Sequence, residues 1–449
     1  MSSRLKTALF SATALSAVVL GAADVRAGGF AVREQSAYGQ GTSFAGIAAG
    51  GSLSAMFWNP ATMTQNPGFA TESSMSLIWP YANQNASAGT MLALGSATNS
   101  GEFAYVPSSY ISYQILPNAW VGVSVNAPYG LSTHFPSAWA GRNYAESSNA
   151  KTYNFAPSIA VKINDWLSVG AGVQIQYFRT DLRQGVGNFG PALVRADLSG
   201  NGWGYGFTAG ITLTPTPTTE IGIGYRSRID QEIEGDLSIV PDAPNAASTV
   251  TAAAVAAAST VGGISTTVKL PDTVTASIRQ KFSDRFTGMA TVEWSNWSRI
   301  GTSTVQQASG AAATIATVPV TLPFEFDDGW FFAVGGEYIL SPQWTVRAGL
   351  AYEISPISDQ VRIPLLPDND RIWLSAGLSY TLLPNVIVDL AYTHIFVKDT
   401  DINITAASGN PWFRGGVSYV GTTSPHVDIL SLGLKVKFAP APKPVVTKG

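Results

Sequence analysis

Three histidines, His134, His394 and His426, are the whole supply of imidazole in this sequence, and they lie far apart along it. There is no cysteine, so a thiolate metal site and a disulfide framework are both excluded. No Ser–His or other nucleophilic constellation is recognisable. The sequence therefore points to no catalytic residue, no metal ligand and no cofactor. What the sequence does offer is guanidinium, ammonium and carboxylate groups at alternate positions of extended segments. Arg226, Arg228, Arg279, Lys281, Arg347 and Lys435 fall on the face that also carries Glu220, Glu293, Glu337, Glu353 and Asp389. Their simplest use is a network of ion pairs. The arginines among them, Arg226, Arg228, Arg279 and Arg347, are also candidates to hold a ligand carboxylate, since guanidinium pairs with carboxylate in a fork.

Two proline sites have structural chemistry. In Asn59-Pro60-Ala61, proline holds Asn59 extended and removes one donor, and an asparagine side chain there can fix a turn. In Asn126-Ala127-Pro128, proline breaks a sheet ladder. Asn126 and Pro128 mark either the outer end of a strand or a kink within it. The run Gly202-Trp203-Gly204-Tyr205-Gly206 alternates as a strand with no helix after it, so it is not a nucleotide loop.

The elements that carry these residues must be strands in a membrane. Of 449 residues, 45% are hydrophobic and only 12% charged, about half the charge of a soluble domain. Arg4 and Lys6, an apolar stretch from Leu9 to Ala23, and Val25-Arg26-Ala27 read as an export signal over 1–27, leaving Gly28 as the mature terminus. No apolar run of 18 residues follows, so no helix is predicted to span a bilayer. A closed barrel remains, because it pairs every backbone group inside lipid. With a net charge of −3 and no basic block, no nucleic-acid partner is expected.

Alternation supports an all-β transmembrane antiparallel barrel. In Trp166 to Phe178, Leu167, Val169, Ala171, Val173, Ile175 and Tyr177 face one way, and Ser168, Gly170, Gly172, Gln174 and Gln176 the other. Val346 and Leu350, and Leu432 and Leu434, mark apolar faces in two later segments. Apolar outside and small or polar inside is the barrel pattern. Fourteen segments read this way, near 70–80, 103–116, 119–128, 153–163, 166–180, 202–214, 219–234, 268–283, 286–299, 328–340, 343–357, 369–382, 385–399 and 426–438. Short turns such as Asn164-Asp165 and Ser341-Pro342 alternate with long connections, which places both termini on the periplasmic side. Trp79, Trp120, Trp166, Trp203, Trp294, Trp297, Trp330, Trp344 and Trp373 are expected in interfacial girdles. The Ala-rich stretch 241–263 is an outer loop, and 439–449 a Pro-rich tail.

Residues 28–69 carry the specific motifs: Gly28-Gly29-Phe30, Gln35-Ser36-Ala37-Tyr38-Gly39-Gln40-Gly41, Ala45-Gly46 and Trp58-Asn59-Pro60-Ala61. Val106-Pro107-Ser108-Ser109-Tyr110 and Ala127-Pro128-Tyr129-Gly130-Leu131 add to them. Together they resemble the FadL family of outer-membrane transporters of long-chain fatty acids and hydrocarbons. The resemblance implies a fourteen-stranded barrel over 70–438, plugged by residues 28–69 as a hatch. It implies that a hydrophobic small molecule is caught at the outer loops, held in an internal pocket and released sideways at a kinked third strand, when the hatch shifts. On this reading Phe30, Asn59, Pro60 and Ala61 belong to the hatch, and Phe30 also lines the pocket. The expected partners are the hydrophobic substrate and outer-membrane lipid, and the expected unit is a monomer in a Gram-negative outer membrane. An outer-membrane lipid-modifying enzyme and a general porin are the alternatives. The first lacks a catalytic constellation, and the second needs no plug. The eleven residues after Phe438 depart from the family, whose members often end at the terminal aromatic residue.

Overall fold

A computed structural model describes residues 29–92, 94–186, 193–242, 259–307, 320–413 and 416–438. The expected signal segment 1–27, Gly28, most of the 241–263 loop and the 439–449 tail lie outside them.

Twenty strands are described: β1 (Phe69–Ala86), β2 (Ala104–Leu116), β3 (Ala119–Asn126), β4 (Gly130–His134), β5 (Ser147–Lys162), β6 (Leu167–Val186), β7 (Leu193–Thr216), β8 (Thr219–Arg226), β9 (Ile229–Asp242), β10 (Ser259–Leu270), β11 (Thr273–Lys281), β12 (Phe286–Ser295), β13 (Thr302–Gln307), β14 (Val320–Pro323), β15 (Gly329–Ile339), β16 (Trp344–Ile354), β17 (Arg371–Leu383), β18 (Val386–Val397), β19 (Thr400–Ile404) and β20 (Tyr419–Phe438). Six staves are interrupted, namely β3–β4, β8–β9, β10–β11, β12–β13, β14–β15 and β18–β19. The twenty strands therefore make fourteen antiparallel staves. The barrel closes where β1 pairs β20, from Phe69↔Phe438 to Ala86↔Gly421. Closure leaves no sheet edge for lipid to meet.

The alternation in β6, β16 and β20 sorts the wall as predicted. Val173, Leu350, Leu432 and Leu434 point outward and are exposed, while Ser168, Gln174, Arg347 and Ser431 are buried inside. The tight turns between β2 and β3, β5 and β6, and β16 and β15 all lie at the end that carries Phe69 and Phe438. Six of the nine tryptophans keep some exposure. Trp120, Trp297 and Trp373 do not belong to the girdles, being only 3%, 2% and 0% exposed. Trp120 and Trp373 sit on the inward parity of β3 and β17, where Trp120 Nε1 donates to Asn66 O and Trp373 Nε1 to Glu353. Position near a strand end does not decide which face a ring occupies.

Several staves run further outward than the sequence suggested. β5 begins at Ser147, β6 continues past residue 180 to Val186, β7 starts at Leu193 and β9 reaches Asp242. In these extensions the parity of β6 persists but its chemistry swaps. Phe178, Thr180 and Leu182 face inward, and Arg179, Asp181 and Arg183 outward. On β9, Ile229, Gln231 and Ile233 are buried, while the intervening Asp230, Glu232 and Glu234 are exposed. Charge on the outer face there is compatible only with water, so the apolar belt ends near Tyr177 and Trp203.

The lumen is filled by residues 29–68. A short helix α1 (Ala37–Gln40) and 3-10 turns at Ile47–Ala49, Leu53–Phe57 and Pro60–Gln65 pack against the inner wall. Inward glycines make this possible. A Cβ on Gly349 would lie 2.1 Å from Thr42, and one on Gly222 would lie 1.9 Å from the Ala48 carbonyl oxygen. The small inner face seen in the sequence is thus a seat for backbone, with no room for side chains.

Candidate functional site

Two spaces and one break in the wall define the site. The outer space lies within the extended staves. It encloses about 780 Å³, its open mouth included, and its accessible lining is wholly apolar. Leu131, Phe178, Ile233, Val268 and Phe324 form its wall, and Phe30 of the plug is at its base. Alternation puts Phe178, Ile233 and Val268 inside, opposite the charged outer face of the same staves.

Phe30 packs edge-on against Trp297, with ring centroids 4.9 Å apart, and stands 5.9 Å from Tyr129. Trp297 and Tyr129 line the second space, of about 680 Å³, together with Phe57, Arg33, Arg226 and Glu293. The three rings therefore separate an apolar chamber from an inner pocket that holds charged side chains among its aromatic ones. Trp297 reaches this place because β12 and β13 are interrupted by a 3-10 turn, Trp297–Ile300.

The four predicted arginines are not equivalent. Arg279 pairs with Glu220 at 3.2 Å and Glu337 at 2.9 Å, and donates to Tyr38 Oη at 2.7 Å. Arg347 pairs with Glu337 at 3.3 Å and Asp389 at 3.6 Å, and Lys435 with Asp389 at 2.9 Å. Arg347 and Lys435 both lie over the Tyr38 ring, so these cations are spent on one plug-to-wall network. Lys281 does not reach into the lumen but lies exposed at the rim that carries the tight turns, 3.4 Å from Asp284.

Arg228 does not face the lumen. Its side chain is 54% exposed and lies 3.7 Å from Asp230 on the outer surface. The stave breaks at Ser227, between β8 and β9, and the step there moves Arg228 to the opposite face from Arg226. Arg226 does face inward. One of its nitrogens donates to the Phe57 carbonyl at 2.9 Å and another to Gln174, and its guanidinium lies 4.0 Å from the Phe57 ring centre. It alone among the four arginines has no carboxylate partner, among the described residues.

Asn59 is fully buried and makes contacts in two directions. Its Oδ1 accepts from Ala61 N at 3.0 Å, capping the turn that Pro60 begins. Its Nδ2 donates to Ala48 O and to Ile211 O of β7, both at 2.8 Å. One side chain thus caps the turn and ties the plug to β7. Two plug residues escaped the sequence reading. Arg33 bridges Glu293 at 2.8 Å and Glu353 at 3.8 Å over the Phe331 ring. Glu34 is fully buried with no hydrogen-bond partner on either carboxylate oxygen among the described residues, and burial raises its pKa to about 7.

Asn126 and Pro128 mark a break in the third stave. β3 ends with Asn126 opposite Asn154, and β4 resumes with Gly130 opposite Lys151. Three residues thus oppose two, a bulge of one residue. Asn126, Ala127 and Pro128 are buried in succession, so the chain dips inward there. The β2–β3 ladder stops at Ser109↔Val125, and β4 pairs with β5 and, through the single bridge Gly101↔Thr133, with the segment before β2.

The family described as Outer membrane protein transport protein (OMPP1/FadL/TodX) matches residues 18–438. The chain belongs to this family. It is an outer-membrane transporter of hydrophobic compounds, and FadL-family proteins are channels and not enzymes. The long-chain fatty acid transport protein of Salmonella typhi is 27% identical over 421 residues, covering 88% of this chain and 94% of that one. A Pseudomonas aeruginosa FadL homologue superposes with TM-score 0.79 at 23% identity, over 91% of this chain and all of that one. The Pseudomonas putida toluene transporter TodX does so with TM-score 0.67 at 15% identity, covering 90% and 98%. These likenesses agree with the fourteen-stave FadL-type barrel with its N-terminal region packed inside.

Proposed function

We propose that the substrates are amphipathic, with a long apolar part and one acidic group, as in long-chain fatty acids. The observation that carries this is Arg226, an inward guanidinium without a carboxylate partner, one ring layer below a wholly apolar chamber. An apolar tail entering from outside loses water in the chamber, at about 25 cal/mol per Å² buried. The head group then meets Arg226 past Phe30, Tyr129 and Trp297. Release runs sideways through the break at Ala127–Tyr129 once the plug shifts, and the outer loops, the one that joins β9 to β10 among them, feed the chamber. All parts of this route come from one barrel, so we take the working unit as a monomer.

The test compares a long-chain fatty acid, its methyl ester and toluene as ligands of the purified protein, with Arg226→Leu beside the natural residue. A charged hydrogen bond is worth about 1.5–3 kcal/mol, so the variant should lose about ten- to a hundredfold in affinity for the acid. Affinity for the ester and for toluene should hold. Equal affinity for all three ligands, unchanged by the substitution, would favour a plain hydrocarbon channel.

A further inference from the structure

Between the second and third staves the sheet has a window. It is bounded below by Ser109↔Val125 and above by the bridge Gly101↔Thr133. Val106, Pro107 and Ser108 of β2 pair only with β1 along this stretch. The level is that of Met75 and Leu77 on the lipid face of β1, within the apolar belt. Unpaired backbone is costly there, so something must satisfy it.

The plug does so. Ala31 forms an antiparallel bridge with Tyr129, Val32 N donates to Pro128 O at 2.8 Å, and Gly130 N donates to Phe30 O at 2.9 Å. Residues 30–32 thus act as a short inner strand beside the break. Gln35 then spans the window itself. Its Nε2 donates to Ala127 O at 2.8 Å and to Val32 O at 3.1 Å, and its Oε1 accepts from Ala127 N at 3.3 Å. On the other side its carbonyl accepts from Ser108 Oγ at 2.9 Å and Tyr110 Oη at 2.7 Å, both on β2. Gln35 is fully buried. One residue therefore ties the two staves together across the window with four hydrogen bonds, two to the backbone of Ala127 and two from the hydroxyls of Ser108 and Tyr110.

We infer that Gln35 is the latch of this window: its side-chain amide holds the third stave while its carbonyl holds the second. This rests on the sideways route proposed above. Gln35 is a positioning residue that need not touch substrate. Only an amide of this length donates to one backbone carbonyl and accepts from the N–H of the same residue. Gln35→Met keeps the length and packing and loses every side-chain bond. Gln35→Glu keeps an acceptor for Ala127 N and turns a carboxylate oxygen toward Ala127 O.

The experiment places a reporter cysteine at Val106, which is buried beside the latch at 2% exposure, in full-length protein in lipid vesicles. Pyrene maleimide dissolved in the bilayer is the probe. Uptake of a fluorescent long-chain fatty acid is read in parallel, and barrel folding by heat-dependent gel mobility. Loss of the side-chain bonds should raise labelling at Val106→Cys about tenfold in Gln35→Met, with the barrel intact. A second cysteine at Ser112, which lies in the paired part of β2 opposite Gly122, should stay unreactive. If Gln35→Met does not fold, Gln35→Glu takes its place with the same expectation. Unchanged labelling at Val106→Cys in a folded variant overturns the latch. Equal labelling at Ser112→Cys also overturns it, since the whole plug would then have loosened. Faster labelling at Val106→Cys without faster uptake supports the latch and overturns the sideways route.

Discussion

Within the belt, β6 presents Val169 and Val173 to lipid and Ser168 and Gln174 to the lumen. Past Tyr177 the same strand, with unbroken parity, presents Arg179 and Arg183 outward and Phe178 and Leu182 inward. The two regions share one fold and differ only in where water is. In the belt the inside is the wetter side, and its polar groups bind the plug: Ser43 Oγ meets Ser375 Oγ at 2.7 Å, and Thr64 Oγ1 donates to Ser168 Oγ at 3.0 Å. In the extension the outside is wet and the inside is free to be an oil-like receptor. A barrel that captures hydrophobic molecules needs both, because an apolar lumen all the way down would leave the plug without hydrogen-bond partners.

The largest expected effect breaks that comparison on the outer face. Val173→Arg should cost about 2–4 kcal/mol in urea unfolding in lipid vesicles, whereas Ser199→Arg, outward on the extension of β7, should stay within about 0.5 kcal/mol. Equal costs would mean that the belt does not end at Tyr177. Next comes the inner face. Ile233→Ser should weaken binding of a wholly apolar dye about tenfold, through lost apolar burial, and Ser168→Ala should leave it alone. Dye affinity that ignores Ile233→Ser would place capture elsewhere.

A third measurement asks whether the plug's hold on the belt must be released for transport. With cysteines at both Ser43 and Ser375, an oxidised bridge should lower fatty-acid uptake by about tenfold or more if plug movement is gating, and reduction should restore it. Full uptake in the bridged protein would make the plug a static filling. The smallest effect concerns Glu34, which faces Arg33 on the plug, Glu353 of β16 and Arg371 of β17. Its carboxyl is raised from 4.5 to about 7, first by burial. A raised carboxyl favours the seated plug fully below the unfolded value and loses that contribution as pH climbs through about 7. Plug release, read by protease sensitivity of residues 29–68, should therefore increase from pH 5 to 8 and flatten in Glu34→Gln. A Glu34→Gln profile as steep as the original would assign the pH dependence to another group.

The belt was legible in the sequence because period-2 alternation and turn chemistry are local signals. The plug was legible because its glycines and the Asn59-Pro60 pair sit in a recognisable arrangement. The extension was not, since alternation shows that two faces differ without saying which one meets water. Arg228 was placed on the wrong face because a break at Ser227 leaves no mark in an alternating pattern. That Arg226 lacks a carboxylate partner while Arg279 has two depends on register between staves. Gln35 and Ala127 are 92 residues apart, and nothing along the chain announces that they meet.

One small contact bears on how the protein is made. Ala37 of the plug donates its N–H to Ser74 Oγ on β1, while a Cβ on Gly433 of β20 would stand 3.0 Å from the Ala37 side chain. The two sides of this socket come from opposite ends of the chain and adjoin only when β1 pairs β20. This socket is complete only when the seam closes, so full seating of the plug and closure of the wall are one event, and a variant that opens the β1–β20 seam should also loosen the plug at Ala37.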